Sequence, residues 1–321
     1  FNNGQGAQGG LAGLALHPNF MDGTANEKNW VYISYIRTSL GSNIFINRVA
    51  RFTYNKATNR LESPVSICDS LPGSNDHNSQ RMFIAPVTPG GPKYLFYASG
   101  DMGAGQGGNI NRPIRSQYPY SYEGKILRFN LDRDGDNDAD DYDNWIPNDN
   151  PYNTMLNKQS AVWNIGQRNN QGFAYDTALN ILYGTSHGPY SDDELNVLEG
   201  FKNYGHPLVI GYVADGNYDG TTTPGLVTSM SAGAPYNTGS GISSCTPIGS
   251  EATRRAEIDA NGNGLYKDPL FSAYAETAAG AGSVRNIWQT TTGANASWPS
   301  EGWSGLDLYS NKVIPGWKKS L

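Results

Sequence analysis

The chain is predicted to be all-β, with a β-propeller as the preferred architecture, and three observations carry that expectation. Short apolar runs rich in β-branched and aromatic residues recur along it, each bounded by turn residues. Gly (39) and Pro (18) fill about 18% of the 321 residues, against a usual 12% or so, so the chain turns often. No segment carries the apolar stripe of a three-turn amphipathic helix. An all-β chain of this length can form one domain, and residues 1–321 read as a single propeller domain.

Seven strands stand out. They cover 30–35, 46–54, 93–98, 125–129, 162–165, 173–175 and 181–184. Many short strands with Gly-rich turns and no intervening helices fit a sandwich, a barrel or a propeller. An internal echo favours the propeller. "LFYASGDMG" (95–103) and "ILYGTSHGPY" (181–190) are both apolar strands ending in a small residue, a polar residue and Gly. Inner propeller strands end near the axis, where such polar groups converge. Residues 207–295 are rich in Gly, Ser, Thr and Ala and read as long loops carried on the propeller.

Composition narrows the function classes. Charged residues make up only 16%, while 20 Tyr and 7 Trp supply polar aromatic faces that suit an extracellular protein and sugar ligands. The net charge of −6 comes with no basic stripe for nucleic acid. No apolar run approaches the length of a membrane span. The first residue is Phe, not Met, so removal of a leader or upstream segment is expected, with a periplasmic or secreted location. Cys68 and Cys245 match no metal or redox spacing; a disulfide and two isolated thiols are equally open.

Five segments carry candidate chemistry. His77 lies in "NDHNSQR", with Asp76 beside it. A neutral imidazole is the usual general base near pH 7, although a surface-loop histidine is an equal reading. Asp101, in "SGDMGAGQGG", is either a strand-end carboxylate facing a ligand or an ordinary turn residue. Arg168, in "VWNIGQRNNQGFAY", can bind carboxylates or a developing oxyanion, or simply fix loop carbonyls. Gly188-Pro189 offers carbonyls, and Asp192-Asp193-Glu194 offers carboxylates, of the kind calcium takes; a solvated turn is the alternative. "DRDGDNDADDYD" places Asp132, Asp134, Asp136, Asp138 and Asp140 at alternate positions, with Asp143 at the twelfth. That is the ligand rhythm of a calcium loop, but its Gly is at place four and no Glu closes it. A structural calcium site at 132–144 is preferred over an acidic insertion. The fainter "DANGNG" (259–264) reads as a simple turn.

Taken in order, several stretches resemble the glucose/sorbosone dehydrogenase family of soluble PQQ-dependent sugar dehydrogenases. They are "QGGLAGLALHPNF", "NWVYISY", "DHNSQRM", "ASGDMGAGQ", "GKILRFNLD", "IPNDNP", "GQRNNQGFAYD" and "HGPYSDDELNVLEGFKNYGHP", and together they cover about the first 205 residues. "SWPSEGWSGLDLY" and "IPGWKKSL" extend the likeness further on. The resemblance implies a six-bladed propeller, incomplete over residues 1–321, with a first blade and the later basic residues lying outside them. It implies oxidation of an aldose at C1 to the lactone, by hydride transfer to pyrroloquinoline quinone (PQQ), with electrons passed to a soluble acceptor. His77 would be the base, Asp101 would hold it, and Arg168 would stabilise negative charge on the reducing cofactor. Asn169, His187, Gln106 and Trp298 would bind PQQ; Gln8 and Asp76 would contact the sugar. The carbonyls of Gly188 and Pro189 would hold an active-site calcium. The family often has Gln where this chain has His187. A non-catalytic extracellular propeller is the alternative, and a calcium-dependent lactonase a weaker one. The set His77, Asp101 and Arg168 favours the enzyme.

Overall fold

A computed structural model describes residues 9–38, 45–105, 107–109, 112–135, 144–153, 159–189, 191–216, 218–219, 250–273, 275 and 300–321. The described residues are nearly all β. The first sheet is an antiparallel meander of β1 (Leu11–Leu16), β2 (Trp30–Thr38), β3 (Phe45–Asn55) and β4 (Arg60–Pro72). Four strands of the second also run as an antiparallel meander: β5 (Ser79–Pro86), β6 (Lys93–Ser99), β7 (Lys125–Phe129) and β8 (Val162–Ile165). The short strands β12 (Lys202–Asn203) and β13 (Leu265–Tyr266) add to it in parallel beyond β8. The third sheet runs β14-β11-β10-β9, from β9 (Asn170–Asp176), β10 (Ile181–Ser186), β11 (Asp193–Val197) and β14 (Phe271–Ala273). Each sheet has the meander form of a propeller blade. Among the described residues, the three do not close a ring.

Each of the seven strands read from the sequence lies inside an observed strand. Their apolar runs are nearly continuous because the sheets pack on both faces: Val31, Tyr32, Ile33 and Ser34 are all buried, as is every residue of β7. One core lies between the first two sheets, around Tyr32, Val49, Tyr97, Leu127 and Trp145. A second lies between the last two, around Phe96, Ile126, Phe173, Leu182 and Tyr204. Burying side chains of this size contributes roughly 1.5–3 kcal/mol each, so these two interfaces hold the sheets at fixed separations.

The described residues of 207–295 differ from the expected run of loops by a helix, besides the short strands β13 and β14. Glu251–Asn261 forms a three-turn helix, α1. Its first backbone N–H donates to Asp219 Oδ1 at 2.7 Å, and Gly262 closes it at φ 75°, a left-handed value that suits glycine. Ile258 is buried against Leu208, Val209 and Tyr266. The "DANGNG" segment is therefore the end of this helix and the turn leaving it.

Candidate active site

Ser79 pairs with Ser99, Ser99 with Lys125, Lys125 with Ile165, and Asn170 with Ser186. The loops beyond these residues therefore emerge at one end of the second and third sheets, which brings together residues far apart in sequence. His77 lies before β5, Asp101 after β6, Arg168 between β8 and β9, and His187 after β10.

The loop that carries His77 is held in an unusual backbone shape. His77, Ser79 and Gln80 have φ of 47°, 57° and 69°, in the left-handed region where side chains are strained. Asp76 Oδ1 accepts from the His77 N–H at 2.9 Å. Gly100 passes so close that a Cβ there would lie 1.8 Å from the His77 carbonyl oxygen. Any side chain at position 100 would drive His77 away from its partner.

That partner is Asp101. Its Oδ1 lies 2.8 Å from His77 Nδ1 and accepts from the Gly103 N–H at 2.9 Å. Its Oδ2 lies 3.1 Å from Nε2 of His206, a residue the sequence reading did not single out. The Asp101 N–H donates to the Arg168 carbonyl at 2.7 Å, which ties the loop after β6 to that before β9. Burial alone would push the Asp101 carboxyl up. The charge of His77 and the hydrogen bonds of His206 and His77 outweigh it and hold the group well below the usual carboxylate range.

These neighbours fix the tautomer of His77. A carboxylate only accepts and a guanidinium only donates. Nδ1 faces Asp101, while Nε2 lies 3.4 Å from Arg168 Nη2. In the neutral imidazole the proton therefore sits on Nδ1, and Nε2 presents a lone pair. The same lone pair lies 3.7 Å from Asp76 Oδ1, whose side chain is partly exposed.

Arg168 also donates from Nη1 to the carbonyls of Gly188 at 2.8 Å and His187 at 3.3 Å. A cation therefore already faces the Gly188 oxygen, whose second lone pair stays open to another donor or ion. Asn169 is buried, its Oδ1 accepting from Ser79 and Gln171. His187 Nε2 donates to the Trp303 carbonyl at 2.9 Å. Burial first, and the Arg168 charge second, hold its imidazole below the ordinary histidine value. Asp193, fully buried, accepts from the Ser300 hydroxyl and the N–H groups of Glu301 and Gly302, which lays that segment across His187.

The described start of the acidic stretch lies elsewhere. Asp132 is exposed and paired with Arg51 at 2.7 Å, and Asp134 accepts from Asn130. Asp136, Asp138, Asp140 and Asp143 lie outside the described residues, as do Gln8, Gln106, Trp298 and Cys245. Among the described residues, no group of three or more His, Cys, Asp or Glu side chains is arranged to hold a metal ion.

Strand-end loops that converge on a histidine, a buried carboxylate and an arginine define a β-sheet protein with a charged polar centre. The family can be stated directly. The chain belongs to the glucose/sorbosone dehydrogenase family, whose sequence model matches residues 3–250. It is 34% identical over 232 residues to quinoprotein glucose dehydrogenase B of Acinetobacter calcoaceticus, covering 67% of this chain and 43% of that protein. It is 33% identical over 134 residues to the aldose sugar dehydrogenase YliI of Escherichia coli, covering 42% of this chain and 30% of that protein. The solved PQQ-bound aldose sugar dehydrogenase of Streptomyces coelicolor is similar at 27% identity and a TM-score of 0.47, over 64% of this chain and 52% of that one. The chain thus spans less than half the length of the curated relatives it matches.

Proposed function

We propose that this chain carries the catalytic centre of a PQQ-dependent aldose dehydrogenase, a six-bladed propeller when whole, that acts in the periplasm or outside the cell. The observation that carries the reading is the lone pair of His77 Nε2, held in place by Asp101 and set beside Arg168. The family and the names of the relatives support the reaction class.

The donor set suits the cofactor. An oxidant that becomes negative on reduction calls for a cation beside the base, and Arg168 is within 3.4 Å of it. When bound, PQQ supplies the two-electron acceptor for the hydride leaving C1 of the sugar. His77 Nε2 takes the proton of the C1 hydroxyl, and Asp101 offsets the positive charge this creates on the imidazole. Arg168 turns its Nη2 from His77 toward the developing negative charge. Asp76, partly exposed beside the base, accepts from a sugar hydroxyl, and Asn169 and His187 line the cofactor side. A soluble acceptor then removes the electrons. The carbonyls of Gly188 and Pro189 would hold a calcium ion that orients the cofactor, its charge set beside the guanidinium of Arg168.

Titration of PQQ into the protein, followed by absorbance changes on adding a panel of aldoses, tests the reading. Bleaching of the oxidised quinone by at least one aldose is expected. His77→Ala should retain PQQ binding and lose roughly 10²–10⁴-fold in rate, the span a general base supplies. Stoichiometric PQQ binding with no response to any aldose refutes the assignment.

A further inference from the structure

The centre contains a third histidine beside His77 and His187. His206 lies just after β12, 105 residues from Asp101 in sequence, and its Nε2 is 3.1 Å from Asp101 Oδ2. It is buried, with 4% of its surface exposed. Burial holds its imidazole below the ordinary histidine value, against the raising pull of the bond to Asp101. A neutral imidazole has one ring proton, and the carboxylate beside Nε2 can only accept. His206 is therefore the Nε2–H tautomer and donates to Asp101.

Two features separate this residue from a histidine that merely fills the core. Its Nδ1 is buried with no hydrogen-bond partner among the described residues. An apolar side chain of similar volume would avoid burying that bare nitrogen. Second, the backbone of the loop is tied without the ring. The His206 N–H donates to the Gly166 carbonyl at 3.0 Å, and the His206 carbonyl accepts from Gln117 Nε2 at 2.8 Å. The imidazole makes one polar contact among the described residues, and that contact is with Asp101.

The contact completes the carboxylate. Oδ1 has two donors, His77 and Gly103, whereas among the described residues Oδ2 has only His206. Without it, Oδ2 is left buried and unsatisfied, and only the two bonds to Oδ1 restrain the carboxylate about its last torsion.

We propose that His206 is a positioning residue that locks Asp101 from behind and so sets the orientation and basicity of His77. The proposal rests on His77 being the base of the sugar oxidation proposed above. Sharing of the carboxylate charge with a second donor lowers its pull on a protonated His77. Removing that donor therefore raises the midpoint at which His77 titrates. Besides His206 itself, the charged and titratable groups around His77 among the described residues are Asp101, Asp76, Arg168 and His187, and none of these four is altered by the substitution.

The test compares His206→Leu, which removes the donor, with His206→Gln, which keeps an amide N–H at similar reach. Nitrogen-15 NMR of the four histidines reports tautomer and midpoint directly, without cofactor. In His206→Leu the His77 midpoint should rise by on the order of one pH unit, and in His206→Gln it should stay near the wild-type value. With PQQ and an aldose, kcat should fall about tenfold in the Leu variant at unchanged sugar KM, part of the 10²–10⁴-fold a general base supplies. The Gln variant should recover most of it. A folded Leu variant with the His77 tautomer and midpoint of the wild type overturns the proposal. If the Leu variant does not fold, His206→Asn, too short to reach Asp101, replaces it under the same criteria. If no preparation oxidises a sugar but the midpoint still shifts, the proposed reaction fails and the positioning role stands.

Discussion

Two parts of this molecule are rich in carboxylates, and they differ in almost every other respect. At the centre, Asp101 is buried and receives three hydrogen bonds, from His77, Gly103 and His206. In the acidic stretch, Asp132 is more than half exposed and has one cationic partner, Arg51, which itself stacks on Trp30 at 3.7 Å. Asp132 belongs to the more regular spacing in sequence, yet of the two it is the isolated Asp101 that is built into a buried network. What distinguishes them is position. Asp101 lies where strand ends converge, so partners arrive from its own loop and three others. Asp132 follows the outer end of β7, where one neighbouring strand and solvent meet it.

The comparison is tested most severely by Asp101→Asn. Asn offers one acceptor and one donor where the carboxylate offers two acceptors. If its amide N–H faces His77 Nδ1, the ring proton moves to Nε2 and points at Arg168, a donor. We expect sugar oxidation to fall about 10³–10⁴-fold, the scale seen when a buried carboxylate that orients a catalytic histidine is replaced by its amide. PQQ binding should persist in an absorbance titration. A loss of less than tenfold would place Asp101 with Asp132 as a structural carboxylate.

Lys125 is the cationic counterpart of Asp101. It is fully buried beside the same loops, and its ammonium donates to the carbonyls of Arg115, Ser116 and Glu123 at 2.6–2.9 Å. Burial pulls it down to about 7, against the raising charge of Glu123. Lys125→Met should strand three carbonyls and cost about 3 kcal/mol in urea denaturation at pH 6, where the ammonium is charged.

Acid should also act on the centre first. Folding holds His187 and His206 below the ordinary value of 6.5. Below that pH the unfolded chain binds protons that the folded chain does not, so stability present above 6.5 is lost as pH falls toward their folded midpoints. The contribution of these two histidines to the melting temperature should therefore fall between pH 7 and 5, against the opposite contribution of the buried Glu194 and Glu251, whose carboxyls burial pushes up, and His206→Gln should reduce the histidine part of that slope.

The sequence made the scaffold legible and the centre only partly so. β2, β6 and β7 announce themselves because strands buried on both faces must be apolar almost throughout. β4 hides because its Ser, Glu and Asp residues face solvent and only Ile67 and Leu71 are buried. α1 hides because its buried face amounts to Glu251 and Ile258, too little for a periodic stripe. His77, Asp101 and Arg168 were readable as candidates from polar residues at strand ends, but not the bonds among them, which span 24 and 91 positions. His206 left no local signal: in "NYGHP" it reads as a loop residue, and only a contact 105 positions away gives it a role. The rhythm of "DRDGDNDADDYD" was the loudest local signal, and a rhythm specifies neither burial nor partners.

The smallest expected effect bears on that rhythm. Asp132→Asn removes an exposed ion pair while Arg51 keeps its place between the rings of Trp30 and Trp145. Such pairs are worth about 0–1 kcal/mol and are screened by salt. Melting with and without added calcium should therefore separate the variant from the wild type by no more than about 0.5 kcal/mol. The sugar-oxidising rate should not change, because Asp132 has no contact with the strand-end loops. A calcium-dependent rise in melting temperature that the wild type shows and Asp132→Asn lacks would reverse the contrast. The stretch 132–144 would then be a metal site assembled by spacing alone, and convergence of strand ends would no longer be what separates a functional carboxylate from a solvated one.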